Sequence, residues 1–405
     1  MSVVKLKIIN DMRIGIVGPF NPASIADYLE EVEVPFINGA ATAVNTMAYE
    51  FLSQGHKLKI FTLTTSNSYE VIKGRNVKVF LIPSGIFPKL IGSRQLTIGQ
   101  FYQPQRIAEV IKKEICDIDI LHAHWTYEYG RAASYFSENI LVYDTVRDWC
   151  PYQMTVQKSV RNFFDWKLKH INFRKVMAHK DITFIANSNY TFSMIKGSYP
   201  EKNVPVIPNP IDKRWILECK KYQTKHRIIS IATGLFSPRK NIRRLLDAFA
   251  MYRQKYTDAT LHLVGNYDEE SAVYKTWEQN GLLSGVVMHG VVSHSKLMEL
   301  LDQMSCLVHP ALEETFGNIL LEAMSRCIPC VGGNDSGAVP EVLGHGKYGL
   351  LCDITNPVSI YEAMLKLDDQ ELSSLIQAQS TEMLKKTCSS DIVVKKHIEL
   401  FENNL

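Results

Sequence analysis

Glu314 and Glu322 lie eight positions apart, and the residues around them can place the two carboxylates at opposite ends of one ligand. A short apolar run before Glu314 is typical of a buried strand, and 317–326 is predicted as a helix behind a tight turn. Glu314 would then lie in the loop and Glu322 on the helix. The first backbone amides of a helix have no partner within it and can bind an anion. The amides concerned are those of Phe316, Gly317 and Asn318. A sugar hydroxyl, a phosphate and a ribose diol would fit this order of acceptors and donors.

A second loop, 234–241, carries Arg239 and Lys240 between a predicted strand and a helix predicted over 242–252. The arginine offers a planar fork of donors and the lysine a point charge, so a diphosphate could rest against both. Two solvated cations are the simpler alternative. Positive charge is unfavourable at a helix start unless an anion is bound there, and this favours the binding role.

Two further candidates lie in the first half of the chain. Gly39 falls in the loop 36–42, where a glycine lets the backbone approach a phosphate or sugar closely, although an ordinary loop glycine is the alternative. His122 and His124 share one face at the end of a predicted strand. No third metal ligand is evident, so we expect no metal site and predict that His124 is a polar contact in a ligand cleft.

The surroundings of the two acids resemble a known motif. The spacing alone would also fit two glutamates on a solvated helix surface. However, Phe-Gly follows the first acid, Glu-Ala-Met begins at the second, and Gly-Ala-Val-Pro-Glu occupies 337–341 in the next loop. In this order they resemble the E-x7-E motif of retaining glycosyltransferases with the GT-B fold, specifically glycosyltransferase family four.

The resemblance includes three departures from the family pattern. The loop 234–241 resembles the family's phosphate loop, but Leu235 stands where an arginine is expected, so either Arg239 does more of that work or phosphate is held less firmly. Gly39 is followed by alanine where the family has a second glycine. Arg147 stands where many members carry a histidine that is often treated as catalytic.

Arg147 cannot be a general base, because its guanidinium stays protonated near neutral pH. It could be an electrostatic group near the departing phosphate or an acidic acceptor. A structural ion pair with Asp148 or another acid is the competing interpretation, and the sequence leaves both open.

The resemblance also implies how the residues would act. The ribose hydroxyls of a nucleotide-diphosphate sugar, most often UDP- or GDP-linked, would bind Glu322, and Arg239 with Lys240 would neutralise the diphosphate. Glu314 and the nearby amides would hold the sugar. An acceptor hydroxyl would attack on the face that the nucleotide leaves, so the anomeric configuration is retained, and the leaving phosphate would take the proton. The candidate catalytic residues are therefore Glu314, Arg239, Lys240, His124 and Arg147. The candidate donor-binding residues are Gly39, Arg239, Lys240, Glu314, Phe316, Gly317, Asn318, Ile319 and Glu322. No cofactor or metal is implied.

Apolar strands, among them 182–186, 260–264 and 306–309, alternate with helical segments along the chain, which predicts an α/β protein with two doubly wound, Rossmann-like domains. The prolines in 206–212 mark a boundary and resemble the family's interdomain linker. We predict an acceptor-binding domain over 1–210 and a nucleotide-binding domain over 211–387, with the last helix in 388–405 crossing back to the first domain. Because the candidate loops come from both halves, a cleft between the domains is expected.

Composition restricts the class of protein. With 405 residues, 46% hydrophobic and 21% charged, the chain is long enough for two cores and is not fibrous or disordered. A net charge of +3 gives no argument for nucleic acid. No apolar stretch could span a bilayer and no secretory leader is visible, which predicts a cytoplasmic protein. The eight scattered cysteines agree with a reducing compartment, and Cys327 and Cys330 are expected to fill a core.

The segment 158–180 is strongly basic and interleaved with aromatic residues. It could form an amphipathic helix that rests on anionic lipid headgroups, at the inner face of the plasma membrane. Alternatively, its aromatic residues enter the core. A basic helix near the acceptor side would suit a glycan or lipid-linked acceptor in the assembly of cell-surface polysaccharide.

The sequence also bears on two rival functions. A nicotinamide-dependent oxidoreductase is disfavoured because Gly15-Ile-Val-Gly18 does not extend to G-x-G-x-x-G and no suitable acid follows the second strand. An epimerase or hydrolase of sugar nucleotides, or a non-catalytic sugar-nucleotide-binding subunit, stays open because of Leu235 and Arg147.

Overall fold

The computed structural model describes residues 11–30, 41–85, 99–156, 160–219 and 226–405, with the backbone alone for 160–162. These residues form two compact units. The first contains the described residues up to Asn187, together with Thr191–Pro210 and Ser390–Leu405. The second contains Ser188–Tyr190 and the described residues of Ile211–Ser389.

The sheet of the first unit has the strand order β3-β4-β2-β1-β5-β6-β7, and its pairings are parallel except for β3 with β4. Its strands are β1 (Arg13–Val17), β2 (Lys57–Thr64), β3 (Glu70–Gly74), β4 (Val77–Pro83), β5 (Ile120–His124), β6 (Leu141–Val146) and β7 (Ile182–Ala186). The helices of this part of the chain are α1 (Thr42–Ser53), α2 (Gly99–Glu114), α3 (Glu128–Ser134), α4 (Cys150–Thr155), α5 (Val160–Met177) and α6 (Asn189–Ser198).

The sheet of the second unit is parallel throughout, in the order β10-β9-β8-β11-β12-β13. Its strands are β8 (Arg227–Ile231), β9 (Thr260–Val264), β10 (Val286–Gly290), β11 (Cys306–His309), β12 (Cys330–Gly333) and β13 (Leu350–Cys352). The helices that follow them are α7 (Ile242–Lys255), α8 (Ala272–Gln279), α9 (His294–Leu301), α10 (Asn318–Ser325), α11 (Val339–Val342), α12 (Pro357–Lys366) and α13 (Gln370–Met383).

Both sheets are buried on both faces, as a doubly wound fold requires. Successive residues of a strand point to opposite faces, so neighbours enter different cores. In the first unit Ile16 and Val17 belong to two separate apolar clusters, and in the second unit Leu307 and Val308 do the same. The prediction of two doubly wound α/β domains is therefore confirmed.

The last helix, α14 (Ser390–Glu402), is part of the first unit and packs against α1. Val394 and Phe401 enter the same apolar cluster as Phe51. The hydroxyl of Ser390 also donates a 2.7 Å hydrogen bond to the carboxylate of Glu50. The C-terminal segment thus completes the core of the unit in which the chain begins.

One of the two cysteines that were expected to fill a core differs from this expectation. Cys330 is buried and fills a core as predicted, but the prediction for Cys327 is wrong. Cys327 forms a disulfide with Cys219, with 5.5 Å between their Cα atoms and 108 positions between them in the chain. The turn after α10 brings Cys327 to the surface segment that carries Cys219, a contact that local sequence could not reveal.

Helix α5 occupies most of the basic segment 158–180, and its aromatic residues divide between the core and the surface. Trp166 and Phe173 pack into the core of the first unit. Phe163, Phe164 and Ile171 are exposed, Phe164 at 57%. None of the helices in the described parts of the chain is long and apolar enough to cross a membrane.

Candidate active site

The loop between β11 and α10 has the form that the sequence predicts. Gly317 is the N-cap of α10 and has φ +88°, a left-handed conformation that suits glycine. Glu314 lies in the loop before this cap. Glu322 lies on the buried face of α10 and is 5% exposed. The N-cap and first turn of α10 therefore lie between the two acids in the chain.

Glu314 is surrounded by positive and hydrogen-bonding groups. The Nζ of Lys240 donates a hydrogen bond to its Oε1. The Nε2 of His309 is 3.4 Å from the same oxygen, and the Nη1 of Arg239 is 3.6 Å away. Burial by itself would raise the pKa of Glu314, but Lys240, His309 and Arg239 together lower this pKa well below its ordinary value. Glu314 is thus a fixed carboxylate at neutral pH.

Arg239 makes its main contacts with Glu313, which the sequence analysis did not single out. Its Nη1 donates a 2.7 Å hydrogen bond to the backbone carbonyl of Glu313 and lies 3.5 Å from the carboxylate. Glu313 is only 3% exposed. The adjacent acids Glu313 and Glu314 therefore face the adjacent cations Arg239 and Lys240. The two consecutive glutamates were the sequence feature from which a role of Glu313 could have been predicted.

The two cations do not begin α7, as the sequence suggested, but lie in the short 3-10 turn Pro238–Lys240 before it. Asn241 follows with φ +54° and connects this turn to the loops after β11 and β13. Its side-chain amide donates to the carbonyls of Pro310, at 3.1 Å, and Ile354, at 2.8 Å. The loops that follow β8, β11 and β13 are therefore held together by one side chain.

The loop 334–338 supports Glu314 from the other side. The amide of Ala338 donates a 2.8 Å hydrogen bond to the carbonyl of Glu314, and Gly337 pairs with Glu314 in an isolated parallel bridge. Gly337 has φ +65°, and a Cβ there would lie 2.4 Å from the Glu314 carbonyl oxygen. Only glycine fits this approach without displacing the backbone that carries Glu314.

Glu341, the last residue of the motif in this loop, has a structural role. Its carboxylate accepts hydrogen bonds from the backbone amide of Asn189, at 2.8 Å, and from the side-chain amide of the same residue, at 2.9 Å. Glu341 therefore holds Asn189, a residue of the same unit.

Glu322 lies beside His294, which in turn contacts Trp215. The Nε2 of His294, at the start of α9, lies 3.7 Å from Oε1 of Glu322, too far for a direct hydrogen bond. The His294 ring stacks on Trp215, with 4.1 Å between centroids and 24° between planes. Neither residue belongs to a motif, so only the three-dimensional fold could identify them.

Leu235 is a core residue, which explains the departure at the start of the phosphate loop. It is 1% exposed and belongs to the same apolar cluster as Phe249 and Leu263. Gly265 next to it lies so close that a Cβ there would be 1.7 Å from the carbonyl oxygen of Ala232. The residue at 235 is therefore directed into a tightly packed interior in this chain.

In the first unit, His124 and Arg147 contact each other. The Nη2 of Arg147 lies 3.0 Å from Nδ1 of His124, and its Nη1 donates to Oδ1 of Asn209. His122 bonds instead with the hydroxyl of Thr145, at 2.8 Å. Both histidine rings are fully buried, and burial followed by nearby positive charge lowers their pKa values well below the ordinary value. His124 is thus a neutral acceptor for Arg147 at the carboxyl ends of β5 and β6.

The remaining first-half candidate, Gly39, lies outside the described residues. Among the residues that are described, no three His, Cys, Asp or Glu side chains are grouped so that they could hold a metal ion.

Comparison with known proteins agrees with these features. The model of the family "Glycosyltransferase Family 4" matches residues 37–215, and that of "Glycosyl transferases group 1" matches 217–383. The chain is 22% identical over 385 residues to the N-acetyl-alpha-D-glucosaminyl L-malate synthase of Bacillus anthracis, covering 91% of this chain and 94% of that protein.

Solved structures show the same architecture. The sucrose-phosphate synthase of Thermosynechococcus elongatus aligns with a TM-score of 0.77 at 16% identity, over 97% of this chain and 99% of that one. The Anabaena protein HepE, in complex with UDP and glucose, aligns with a TM-score of 0.65 at 15% identity, over 97% of this chain and 100% of that one. With both family models matched in sequence and two parallel-sheet Rossmann-like units in the structure, the chain belongs to glycosyltransferase family four and has the GT-B fold.

Proposed function

We propose that the chain is a retaining glycosyltransferase that moves a hexose-type sugar from a UDP- or GDP-linked donor to a hydroxyl of a glycan or lipid-linked acceptor. One observation carries this proposal. The carboxylate of Glu314 is held by Lys240, His309 and Arg239 directly before the N-terminus of α10, which also bears Glu322. This arrangement offers an acceptor for sugar hydroxyls, donors for phosphate and a second acceptor in one short stretch.

The donor would be held mainly by the second unit. The backbone amides of Phe316 to Ile319, at the start of α10, would bind the diphosphate, because the helix dipole favours negative charge there. An ammonium group has three N–H donors, so Lys240 can bind Glu314 and a phosphate oxygen at the same time. Arg239 uses Nη1 on Glu313 and has further N–H donors, so it would neutralise the diphosphate together with Lys240. Glu322 would accept hydrogen bonds from the ribose hydroxyls.

Retention requires no protein base in this scheme. The acceptor hydroxyl would attack on the face from which the diphosphate departs, and the departing oxygen would take the acceptor's proton. Negative charge grows on that oxygen in the transition state, so donors fixed near it contribute most to the rate. Arg147, held by His124 and Asn209, would serve as a fixed positive charge for an acidic acceptor.

The acceptor is proposed to be an intermediate of cell-surface polysaccharide assembly at the inner face of the plasma membrane, with the enzyme itself cytoplasmic. The exposed face of α5 supports a peripheral contact with anionic lipid, because Phe163, Phe164 and Ile171 lie beside the exposed Lys167 and Lys175. Aromatic groups can enter the interfacial region while the lysines attract negative headgroups. The complex of HepE with UDP and glucose supports a UDP-linked hexose as the first donor to test.

The test is a thermal-shift screen against UDP-, GDP- and ADP-sugars, followed by analysis of the product. We expect stabilisation by several degrees with donors of one base only. Glu322→Gln should abolish this shift and leave the melting of the ligand-free protein unchanged, whereas Glu299→Gln, on the exposed face of α9, should behave as wild type.

The product distinguishes the alternatives. An α-linked donor should give an α-linked product by NMR, and a β-linked product would refute the retaining mechanism. Donor hydrolysis without any acceptor would indicate a sugar-nucleotide hydrolase. Donor binding without turnover, across a panel of glycan and lipid-linked acceptors, would indicate a binding subunit.

A further inference from the structure

The segment Ile211–Cys219, here called the strap, runs along the second unit and ends at the Cys219–Cys327 disulfide. At its start, the amide of Ile211 donates to the carbonyl of Cys388 at 2.8 Å. Near its end, the amide of Leu217 donates to the carbonyl of Ser325 at 2.9 Å, and Arg326 donates to the carbonyl of Trp215 at 3.3 Å. The strap therefore lies against the C-terminal end of α10.

Trp215, in the middle of the strap, contacts His294, which lies beside Glu322. Trp215 stacks on His294, and Nε2 of His294 faces the Glu322 carboxylate across 3.7 Å. A release of the strap would remove the ring that fixes the orientation of His294. The immediate surroundings of Glu322 would then change, although Glu322 itself lies on a rigid helix.

Cys327 occupies an unusual place for a cysteine. It follows the end of α10 with φ +58°, in the left-handed position that glycine or asparagine usually takes. A cysteine has no conformational advantage there. Its sulfur, however, points to Cys219 and forms the one covalent link between the strap and the turn after α10.

The other cysteines are not expected to take part in thiol–disulfide exchange with this pair. Cys150, Cys306, Cys330, Cys352 and Cys388 are buried, and Cys116 is exposed but lies in the first unit. Burial raises the pKa of the Cys306 thiol to about 12, for example, so that little reactive thiolate forms. Cys219 and Cys327 are both partly exposed, so an external thiol can reach them.

We propose that the Cys219–Cys327 disulfide is a thiol–disulfide switch that sets the affinity of the second unit for the donor's nucleoside diphosphate, an inference that rests on the proposed function. In the oxidised form the strap holds Trp215 on His294 beside Glu322. A dithiol reductant opens the switch in two exchange steps. Its first thiolate attacks one cysteine sulfur, forms a mixed disulfide and releases the other cysteine as a thiolate. Its second thiol, as a thiolate, then attacks the reductant's own sulfur in the mixed disulfide and releases the first cysteine. The reductant becomes a disulfide, and Cys219 and Cys327 become two thiols.

The first measurement establishes the two states. The native oxidised protein should take up maleimide at Cys116 only, and after treatment with dithiothreitol it should also take it up at Cys219 and Cys327. Hydrogen exchange of backbone amides in 213–219 should become faster on reduction. Labelling of Cys219 and Cys327 before any reduction would overturn the proposal.

The second measurement is the dissociation constant of UDP and of GDP by titration calorimetry, in both redox states. We expect reduction to weaken binding of the preferred nucleotide by about tenfold, within the usual range of coupling between sites. Cys219→Ser should match the reduced wild type and ignore reductant. Cys116→Ser, the matched control, should respond to reductant as the wild type does.

The outcomes separate this proposal from the one on which it rests. Equal affinity in both redox states would overturn the switch and leave the donor-binding role intact. Absence of binding by either nucleotide in both states would overturn both. Because the wild type is switched by reductant alone, the test does not depend on the folding of the cysteine variant.

Discussion

The ammonium group of Lys240 donates a hydrogen bond to the carboxylate of Glu314, and both side chains are largely shielded from water. Each group lies 74 positions from the other in the sequence. Burial makes either charge costly when its partner is removed, so this pair should contribute to both stability and ligand binding.

Replacement of Lys240 by methionine should lower the free energy of unfolding of the second unit by about 3 kcal/mol, because it leaves a shielded carboxylate with fewer positive neighbours. The double variant with Glu314→Gln should recover part of this loss. Urea denaturation of the four proteins in the cycle measures the coupling. Arg243→Ala, which breaks the surface pair with Asp247, should cost less than about 0.5 kcal/mol and serves as the control. Coupling no larger than in the surface pair would contradict the prediction.

Gly337→Ala should displace the backbone of Glu314. The new methyl would meet the Glu314 carbonyl at 2.4 Å in addition to the cost of its positive φ, so we expect a loss of about 3 kcal/mol and weaker donor binding. Gly281→Ala is the matched control, since Gly281 has φ +69° and no atom within 4 Å of the added carbon. It should lose about 1 kcal/mol by thermal or urea unfolding, with unchanged donor affinity. Equal losses in the two variants would show that the close contact has no effect.

Leu235→Arg should not restore the family's phosphate loop. The position is buried in the apolar core, so an arginine there would be an unpaired buried charge and should cost about 3–5 kcal/mol. Leu235→Met keeps the volume and should cost less than about 1.5 kcal/mol. Urea unfolding and nucleotide titration of both variants provide the check. A stable Leu235→Arg protein with tighter nucleotide binding would refute this assignment.

Asp144 should make the first unit less stable as the pH rises. Burial raises its pKa from 3.8 to about 8, against smaller opposing effects of Thr126 and Arg147. The folded state therefore binds a proton that the unfolded state has lost between these two values, and stability falls as pH rises through that window. Between pH 6 and 8 the loss from this group should approach about 2 kcal/mol. Asp144→Asn should remove this loss in urea unfolding, and an unchanged pH profile in that variant would contradict the prediction.

The α5 surface should bind anionic vesicles. Lys167→Glu together with Lys175→Glu should weaken binding to vesicles containing phosphatidylglycerol by more than about tenfold, because each lysine near the surface contributes about 1 kcal/mol. Lys275→Glu with Lys296→Glu, on the second unit, makes the same change in net charge and should have little effect. Vesicle flotation at two salt concentrations gives the measurement. Equal loss in both double variants would indicate net charge alone, and no binding by the wild type would refute the contact.

The sequence predicted the strands and the position of the acids well, because these depend on local patterns. The strands Ile182–Ala186, Thr260–Val264 and Cys306–His309 have the bounds that their apolar runs indicate. The β3–β4 hairpin was missed, since the exposed ends of β3 interrupt its apolar alternation.

Partners distant in the chain could not be predicted in the same way. The contact of Arg239 with Glu313 and the disulfide of Cys219 depend on which loops meet after folding, and neither residue type nor spacing specifies that. The motif located Glu314 and Glu322, and the sequence singled out Lys240 and Arg239, but only the structure shows that these two cations and His309 meet at Glu314. For Leu235 the sequence showed that the arginine of the family pattern is missing, and the burial of this side chain in the structure explains why.

The side-chain amide of Asn241 joins the loops after β8, β11 and β13 through its bonds to Pro310 and Ile354. None of these loops can shift alone without breaking one of the two bonds. A nucleotide would meet an edge of the sheet that is already ordered when it arrives. Little conformational entropy would then be lost on association, and more of the contact energy would remain as affinity.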